Sequence, residues 1–442
     1  MSSQLQKIKK KLKLAINQLC DTAWMFVKNP SRDFTRKRKL PLQEVISILL
    51  CMEGGSLTGE LLRYFGYSKH TASSSAFIQQ RQKINSDAFP SLFDLFVKYT
   101  DKNVLYKGYR LLAADGSDVQ IPTDPQQKDT YFPGTNSGAS YSLLHLDAVY
   151  DLLQHTYLDV AVCGRQKFDE RGVLCKMVDR SAVSKALIIA DRGYESYNLM
   201  AHIQEKRWKY LIRIKDINST GIAAKLEIPN SDEFDTKFHL NFTKCRTREA
   251  MELLKNTKQY KLLYANAHFD FLPPTSKKDT PFTSYYLPFR VVRFKISDNS
   301  YETVITNLDA KNFPVEELKR LYSMRWGIET SFRELKYTVG LLHFHAKKVE
   351  NITQEIFARL IMYNFSELIT AHVVIQKYNR KHPCKANFSV AVQVCRQFLL
   401  GNVSPPDVEA TIKENVSVIR PGRSNPRNMV VKHAVSFLYR VA

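Results

Sequence analysis

The chain of 442 residues is long enough for two or three domains, and its 44% hydrophobic content is typical of a globular protein with sizeable packed cores. Its 65 Lys and Arg against 43 Asp and Glu give a net charge of +22, which favours a polyanionic partner such as nucleic acid, although charge alone does not decide function. Seven scattered cysteines without a Cys-x-x-Cys pair argue against a disulfide framework and against a zinc site built on cysteine.

Residues 1–105 are predicted to form a helical DNA-binding region. Residues 1–40 carry eleven Lys or Arg against two Asp, and this local charge of +9 is typical of a segment that contacts phosphates. No apolar run of the kind a signal peptide needs follows the first lysines. Three short helices are then predicted over residues 41–52, 57–65 and from about 68–71 to 83, separated by glycines. This pattern fits either a helix-turn-helix or a plain helical bundle.

Residues 106–215 are predicted to be the first part of a catalytic domain of the α/β class with a mixed sheet. The apolar runs 111–114 and 186–190 are typical of buried strands, and we predict that they stop at Asp115-Gly116 and Asp191-Arg192-Gly193. Residues 141–149 and 157–162 are predicted as further strands around a turn. Open α/β sheets place their sites at the carboxyl ends of strands, so Asp115 and Asp191 are candidate site residues. Each aspartate taken singly is more often a turn or capping residue.

The remainder of the chain is divided into three regions. Residues 216–300 are predicted as a mainly β insertion, residues 301–350 as the second part of the catalytic domain, and residues 351–442 as a helical C-terminal region with a basic tail around 420–423. The apolar stretch 356–375 is interrupted by an Arg, an Asn and a Glu, which a membrane helix seldom tolerates. We therefore expect a buried helix there and a cytoplasmic protein.

A helix predicted from about Pro314 to Val339 carries four polar residues on one stripe. Tyr322, Arg325, Glu329 and Lys336 fall within roughly 60° of arc at 100° per residue, beside the apolar face, which directs them toward the edge of the sheet. On its own, the spacing of Arg325 and Glu329 fits a solvent-exposed ion pair.

Combined with the two aspartates, the stripe favours a metal site for phosphoryl transfer. Asp115, Asp191 and Glu329 would hold two Mg²⁺ ions roughly 4 Å apart and act as both catalytic residues and metal ligands. Such a pair of ions supports in-line displacement at a phosphodiester without a protein nucleophile. Arg325 and Lys336 would then contact backbone phosphates, and Tyr322 would donate a hydrogen bond from its hydroxyl.

With these residues the chain resembles bacterial insertion-sequence transposases of the DDE class, in the branch with a Tyr-x2-Arg-x3-Glu-x6-Lys motif. The motif runs here from Tyr322 to Lys336, after Asp115-Gly116-Ser117 and Asp191-Arg192-Gly193-Tyr194. The long gap between Asp191 and Glu329 is where this branch inserts a β subdomain. The resemblance implies an RNase H-like catalytic domain, Mg²⁺ or Mn²⁺ dependence, cut-and-paste DNA cleavage and strand transfer, recognition of terminal inverted repeats, and a homodimer on paired DNA ends.

The chain departs from this branch in its tryptophans. Members that excise their element through a DNA hairpin use a tryptophan of the insertion that stacks on a flipped base. Here the tryptophans are Trp24, Trp208 and Trp326, all outside residues 216–300. Tyr285 or Tyr286 would offer a substitute stacking surface, and the resemblance leaves the hairpin step open.

Other acids and histidines near the motifs are not assigned to the site. Asp118 follows Asp115 closely, and Glu334 follows Glu329 but lies well away from the stripe. The close pair His343 and His345 favours a surface or packing role over metal binding. Two alternative functions stay open: a non-catalytic DNA-binding regulator, for which a missing acid is expected although none is missing, and a metal-dependent nuclease that cuts DNA without joining it.

Overall fold

The computed structural model describes residues 2–36, 38–135, 138–217, 219–273, 282–297, 300–373 and 384–419. Its N-terminal region is helical, as predicted, and the third predicted helix begins later than expected because Ser73 caps it by accepting a hydrogen bond from the Ala76 N–H. The helices are α1 (Ser2–Asp21), α2 (Ala23–Phe26), α3 (Leu42–Cys51), α4 (Leu57–Tyr64), α5 (Ser74–Arg81) and α6 (Ala88–Thr100).

Helix α1 is packed onto the protein rather than extended from it. Leu5, Leu12 and Leu19 are fully or almost fully buried and lie on one side of the helix, since they are seven residues apart. They contact α6 and α12, the long C-terminal helix Val349–Thr370. Lys7 and Lys10 are exposed, so the basic charge of this segment faces solvent while its apolar stripe joins the core.

A single mixed sheet of ten strands dominates the described residues, which confirms the predicted α/β class. The strand order is β2-β3-β1-β5-β6-β10-β9-β7-β8, with β4 also paired to β3. Pairing is parallel between β1, β5 and β6 and antiparallel between β1 and β3 and between β6 and β10. The strands are β1 (Arg110–Ile121), β2 (Tyr131–Phe132), β3 (Tyr141–Asp151), β4 (Thr156–Gly164), β5 (Ala186–Ala190), β6 (Lys209–Arg213), β7 (Phe234–Thr243), β8 (Tyr260–Leu262), β9 (Tyr285–Ser297) and β10 (Ser300–Thr306).

One strand boundary was predicted wrongly. The first strand does not stop at Asp115-Gly116 but continues to Ile121. The reason is its antiparallel pairing with β3, which runs without interruption from Leu112 to Ile121. Its parallel pairing with β5 ends at Ala114, so Asp115 is the first residue of β1 beyond the carboxyl end of β5.

The predicted insertion is not a separate sheet. Strand β9 pairs with β10 on one side and with β7 on the other, so the strands of the insertion extend the main sheet. The short helix α9 (Arg248–Leu253) and strand β8 lie at its far edge. The predicted β character is confirmed, and the segment is joined to the rest of the fold by a continuous hydrogen-bond ladder.

Helices cover both faces of the sheet over two hydrophobic cores. On the front face, Ala113 and Ala148 pack in the same core as Ile328 and Phe332 of the helix α11 (Trp326–Glu334), which carries Glu329. On the rear face, Ala114 packs with the crossover helices α7 (Glu170–Arg180) and α8 (Tyr197–Glu205). Because successive side chains of a strand point to opposite faces, neighbouring residues of β1 serve different cores.

The helix predicted over 314–339 is confirmed, with its regular geometry interrupted twice. It comprises α10 (Val315–Met324), α11 (Trp326–Glu334) and one π-helical turn (Leu335–Val339). Pro314 precedes the first turn, and Gly340 ends the helix with a φ of 97°, a conformation that favours glycine.

The C-terminal region is helical, as predicted. Helix α12 is buried along most of its length, and no helix within the described ranges is long and apolar enough to span a lipid bilayer. The predicted basic tail at 420–423 lies outside the described residues. The further elements are α13 (Phe388–Leu400), α14 (Pro405–Glu414) and the two-stranded sheet of β11 (Cys384–Ala386) and β12 (Val416–Val418).

Candidate active site

Asp115 lies on the front face of the sheet, where β1 loses its parallel neighbour. It shares this face with Ala113, because the two are separated by one residue, and its side chain is 23% exposed. One of its carboxylate oxygens accepts a hydrogen bond from the Gly116 N–H at 2.9 Å. The carboxylate is therefore held against the protein on one side and open to solvent on the other.

Asp191 directly follows β5, as predicted, and caps a short 3₁₀ turn. Its Oδ1 accepts hydrogen bonds from the Arg192 N–H at 2.5 Å and from Nε of Arg213 at 2.8 Å. Burial acts to raise the pKa of Asp191, but these hydrogen bonds and the positive charges of Arg213 and Arg325 outweigh it and hold the pKa below its usual value. Asp191 is thus ionised well below neutral pH.

Arg213 was missed by the sequence analysis. It is the last residue of β6. Ile212, which precedes it, pairs with Ala190 at the end of β5, so Arg213 lies beside Asp191. Its guanidinium also lies 3.3 Å from Oε1 of Glu302. The register of two adjacent parallel strands was the only signal that could have placed an arginine next to Asp191.

Glu329 and Arg325 lie on the helix face turned toward β1. Nη2 of Arg325 donates a hydrogen bond to Oε1 of Glu329 at 2.6 Å, and Nη1 lies 3.6 Å from Oδ2 of Asp115. Arg325 is only 3% exposed. The solvent-exposed ion pair considered for this spacing is therefore wrong, because the guanidinium is buried between two carboxylates from distant parts of the chain.

The three acids influence one another electrostatically. The pKa of Asp115 is raised to about 6, first by burial and further by the negative charges of Glu329 and Asp191, while Arg325 and the Gly116 N–H act to lower it. Asp115, Asp191 and Glu329, which we call the carboxylate cluster, therefore lie close enough for the charges of Glu329 and Asp191 to act on Asp115.

The carboxylate cluster has the donor chemistry for hard divalent cations. Carboxylate oxygens are the ligands that Mg²⁺ prefers. Burial is the main cause of the raised pKa of Asp115, and the negative charges of Glu329 and Asp191, which bound cations would offset, add to it. The residues present therefore fit such ions. Arg325 now partly neutralises this charge from its position between Asp115 and Glu329.

The two remaining residues of the stripe also face the sheet. Nζ of Lys336 donates a hydrogen bond to the main-chain oxygen of Asp118 at 2.6 Å. Tyr322 is 4% exposed, and its hydroxyl has no hydrogen-bond partner among the described residues. The stripe thus brings a phenol and two cationic groups to the same side of the helix as Glu329.

The acids and histidines set aside in the sequence analysis lie elsewhere. Oδ1 of Asp118 is within 2.6 Å of Nδ1 of His145, on the rear face of the sheet. Burial raises the pKa of Glu334, while Lys385, Arg333 and a hydrogen bond with Tyr363 act to lower it. His345 is 8% exposed, with Nδ1 3.2 Å from Glu355, a pairing between buried side chains.

A second group of polar side chains was missed entirely. His145 and Asp147 of β3, with Glu170 of α7, have ligand atoms within 4.8 Å of one another, and they form the one His, Cys, Asp and Glu group of the described ranges that is compact enough for a single metal ion. We call it the rear cluster. The carboxylate cluster does not meet that criterion. The available signal was the alternation His-Leu-Asp, which places two ionisable residues on one face of an apolar strand.

The aromatic residues of the insertion that were considered for base stacking differ in accessibility. The Tyr285 hydroxyl lies 2.8 Å from Oε1 of Glu205, and its ring packs edge-on against Phe269. The Tyr286 side chain is 49% exposed and stacks on His239. Of these two tyrosines, Tyr286 offers the more accessible ring face.

A cavity of about 1230 Å³ lies between the segment that follows β5 and the insertion. None of the three acids of the carboxylate cluster lines it. Its walls carry five cationic side chains against Glu195 and Glu227, so the cavity is positively charged; the cations are Arg171, Lys215, Lys237, Lys258 and Lys261.

Comparison with known families gives a match over most of the sheet and the motif helix. Residues 106–365 match the family model described as transposase DDE domain. This range contains all three acids of the carboxylate cluster and the whole stripe.

Two curated proteins are similar along much of the chain. The transposase InsG for insertion sequence element IS4 of Escherichia coli (strain K12) is 23% identical over 340 residues, which cover 74% of this chain and 65% of the relative. The transposase for insertion sequence element IS1151 of Clostridium perfringens is 21% identical over 334 residues, which cover 68% of each chain. The chain thus spans about two thirds of the length of these relatives.

Among solved structures, the chain is similar to the cryo-EM structure of the piggyBac transposase synaptic complex with hairpin DNA. The TM-score is 0.46 and the sequence identity 12%, with 96% of this chain and 84% of that chain covered.

Proposed function

The chain belongs to the transposase DDE domain family, and on this premise we propose that it is an insertion-sequence transposase that cuts and joins DNA. It binds the terminal inverted repeats of its element and transfers the cut ends to target DNA by a cut-and-paste route. The family implies the use of divalent metal ions. The observation that carries the proposal is the position of Arg325, which contacts Asp115 and Glu329 although these acids are far apart in the sequence.

In the proposed mechanism the carboxylate cluster holds two Mg²⁺ ions, for which Mn²⁺ can substitute. When bound, these ions activate the attacking water or 3′-hydroxyl and stabilise the leaving oxygen of an in-line displacement. Asp115, Asp191 and Glu329 supply the ligands and fix their positions through one strand, one strand end and one helix. No side chain is needed as a nucleophile.

The stripe binds the DNA backbone around the reacting phosphodiester. With Asp115 and Glu329 as ligands of divalent cations, Arg325 would be available to donate two parallel hydrogen bonds to a phosphate. Lys336 supplies a second positive charge, and Tyr322, whose hydroxyl has no partner among the described residues, donates a hydrogen bond to a phosphate oxygen. The cationic cavity beside the insertion gives further phosphate contacts.

We assign the regions of the chain accordingly. Residues 1–105 form a DNA-binding region, residues 106–215 and 301–350 an RNase H-like catalytic domain, residues 216–300 the insertion, and residues 351–442 a helical C-terminal region with a basic tail. The active assembly is a homodimer on paired DNA ends. The net charge of +22 supports a DNA partner.

The test is a joining assay with the full chain, Mg²⁺ and DNA that carries the ends of the element. We expect cleavage and strand transfer by the unmodified chain, and expect Asp191→Asn to retain end binding but to lose both reactions. Asp232→Asn, at a side chain that is 83% exposed, is the matched control and keeps full activity. Circular dichroism establishes that both variants are folded.

Other outcomes of this assay would overturn the proposal. Cutting without joining would favour a metal-dependent nuclease, and end binding without any cleavage by the unmodified chain would favour a DNA-binding regulator. Retained strand transfer in folded Asp191→Asn protein would remove the carboxylate cluster from the mechanism.

A further inference from the structure

The rear cluster lies directly behind the carboxylate cluster but faces the other way. Asp147 pairs with Gly116 across β3 and β1, whereas Ala148 pairs with Asp115. Because adjacent residues of a strand point to opposite faces, Asp147 faces the rear core while Asp115 faces the front. Glu170, on α7, completes the cluster from the helix layer that covers the rear face.

The distances within the rear cluster match the edges of a metal coordination polyhedron. Nε2 of His145 lies 3.4 Å from Oδ1 of Asp147 and 3.5 Å from Oε1 of Glu170. Tetrahedral coordination with bonds of about 2.0–2.2 Å separates neighbouring ligand atoms by roughly 3.3–3.6 Å. The three donors are therefore spaced as ligands of one ion, at separations longer than a normal hydrogen bond.

Three polar atoms of the rear cluster, on Asp147 and His145, are buried without hydrogen-bond partners among the described residues. Asp147 is 2% exposed, and neither of its carboxylate oxygens has a hydrogen-bond partner among the described residues. The same is true of Nε2 of His145, a residue that is 3% exposed. Burial of an unpartnered carboxylate is costly, so the folded chain gains from a positive charge here, which either a metal ion or a proton on Nε2 of His145, 3.4 Å from Asp147, can supply.

The other ring nitrogen of His145, Nδ1, already has a hydrogen-bond partner. Nδ1 lies 2.6 Å from Oδ1 of Asp118, which Nε of Arg165 also contacts at 2.9 Å. In the neutral tautomer with the proton on Nδ1, Nδ1 donates its hydrogen bond to Asp118 and the lone pair of Nε2 is directed at the rear cluster. Metal-ligating histidines are commonly oriented by such a carboxylate.

The backbone leaves room for this arrangement. A side chain at Gly116 would place its Cβ 2.5 Å from Nε2 of His145 and 2.8 Å from Oε1 of Glu170. At Gly193 a Cβ would lie 3.2 Å from Oε2 of Glu170. The glycines that follow Asp115 and Asp191 in the two motifs thus border the rear cluster as well.

We propose that His145, Asp147 and Glu170 form a second metal site, which binds one divalent transition-metal ion of the zinc type with water in the fourth position. The imidazole ligand selects such an ion over Mg²⁺, which prefers oxygen ligands alone. The site is independent of the proposed DNA chemistry. An ion there carries no substrate; it ties β3 to α7 behind the active site.

The test is Co²⁺ titration of the full chain after treatment with a chelator. Excess Mg²⁺ is present so that the oxygen ligands of the carboxylate cluster are occupied. We expect visible absorption of four-coordinate Co²⁺ that saturates at one equivalent per chain and disappears when Zn²⁺ is added. Zn²⁺ should also raise the unfolding temperature of the unmodified chain.

Variants separate the rear cluster from other acids. Glu170→Gln, the most accessible change of the three ligands, should weaken Co²⁺ binding by more than about tenfold and abolish the thermal shift, since even loss of an outer partner costs about 10–100-fold. Asp179→Asn is the matched control, because Asp179 is also on α7 and within 3.0 Å of a histidine, His202, but outside the cluster. Glu329→Gln should retain the Co²⁺ absorption.

Either of two results would overturn the proposal. One is the absence of Co²⁺ absorption and of a Zn²⁺-dependent thermal shift in the unmodified chain, which would mean that a proton on His145 supplies the positive charge. The other is Co²⁺ binding that Glu329→Gln abolishes and Glu170→Gln leaves unchanged. Neither result bears on strand joining, so failure here is distinguishable from failure of the proposed function.

Discussion

The two faces of β1 and β3 carry two groups of ionisable side chains that differ in solvent exposure and in charge pairing. The side chains of the carboxylate cluster are 23–32% exposed, and two arginines already contact them. The histidine and aspartate of the rear cluster are almost completely buried, with unpartnered polar atoms. A site that is open and balanced by arginines suits charged ligands that come and go, whereas a closed site suits an ion that stays bound.

The largest expected effect is the loss of strand joining when Glu329, the acid that α11 contributes to the front face, is replaced. Glu329→Gln should reduce the rate of strand joining by more than about 100-fold. Loss of a residue that only orients a metal ligand lowers activity by about 10–100-fold, and loss of the ligand itself should lower it more. The rate is measured with saturating Mg²⁺ and DNA ends. Glu334→Gln, on the same helix but away from the stripe, is the control and should join DNA at the normal rate. Equal rates for the two variants would remove the distinction between the stripe and the rest of the helix.

A second prediction concerns the balance of charge on the front face. Arg325→Met should destabilise the fold by about 2–3 kcal/mol at pH 8, somewhat less than the 3–5 kcal/mol of a fully buried pair, because both acids are partly exposed. The pKa of Asp115, already about 6, rises further without the guanidinium, so below pH 6 this acid is protonated in both proteins.

The loss caused by Arg325→Met should therefore be smaller at pH 5 than at pH 8, because folding then no longer buries a charged Asp115. Urea unfolding at both pH values measures it. Arg333→Met, at an exposed residue of the same helix, should have little effect at either pH. A loss that is equal at the two pH values would show that Arg325 acts through packing alone.

The third prediction concerns the space that a glycine of β1 leaves for the rear cluster. Gly116→Ala should cost about 1–2 kcal/mol, since its Cβ would overlap the side chains of His145 and Glu170, and it should weaken Co²⁺ binding. Gly138→Ala is the control, because a Cβ there would lie 3.9 Å from Oγ1 of Thr135, an ordinary van der Waals contact. Unchanged stability and Co²⁺ affinity in Gly116→Ala would show that the rear cluster is not tightly packed against β1.

The last prediction concerns a half-buried acid that belongs to neither cluster. Burial and the charge of Glu334 raise the pKa of Glu367 to about 8, against a smaller opposing effect of Lys385. Between about pH 4.5 and 8 the folded chain binds a proton here that the unfolded chain does not, so this residue makes stability fall as pH rises. Glu367→Gln should remove that slope.

The gain of Glu367→Gln in stability over the unmodified chain should be larger at pH 8 than at pH 5, because only the unmodified chain loses stability as a carboxyl with a folded pKa of about 8 is deprotonated. Thermal or urea unfolding across this pH range measures it. Glu350→Gln, at an exposed residue of the same helix, should leave the slope unchanged. A steeper slope in Glu367→Gln would contradict the raised pKa.

Most residues of the site on the front face could be predicted from the sequence, because local spacing patterns along the chain indicate them. The spacing of Tyr322, Arg325 and Glu329 defines a helical stripe, and the apolar run before Asp191 ends where β5 ends. The pair Asp115-Gly116 is typical of a turn in its local sequence, but long-range pairing with β3 continues the strand through it. Pairing between distant strands is not encoded in any short window of sequence.

The rear cluster depends on contacts of this long-range kind. His145 and Asp147 share a face by simple alternation, which the sequence shows, but Glu170 joins them only because α7 crosses behind β3. Arg213 likewise reaches Asp191 only through strand register. Sequence patterns locate groups on single elements, whereas the meeting of several elements requires the folded topology.

The continuity of the sheet through the insertion has a mechanical consequence. Strand β9 is hydrogen-bonded to β10 and β7 over most of its length, so the insertion cannot rotate as a hinged lid without rupture of two ladders of backbone bonds. Under the proposed function, DNA bound by the lysines of the insertion would therefore stay at a fixed distance from the carboxylate cluster, and this distance would set the position of the cut.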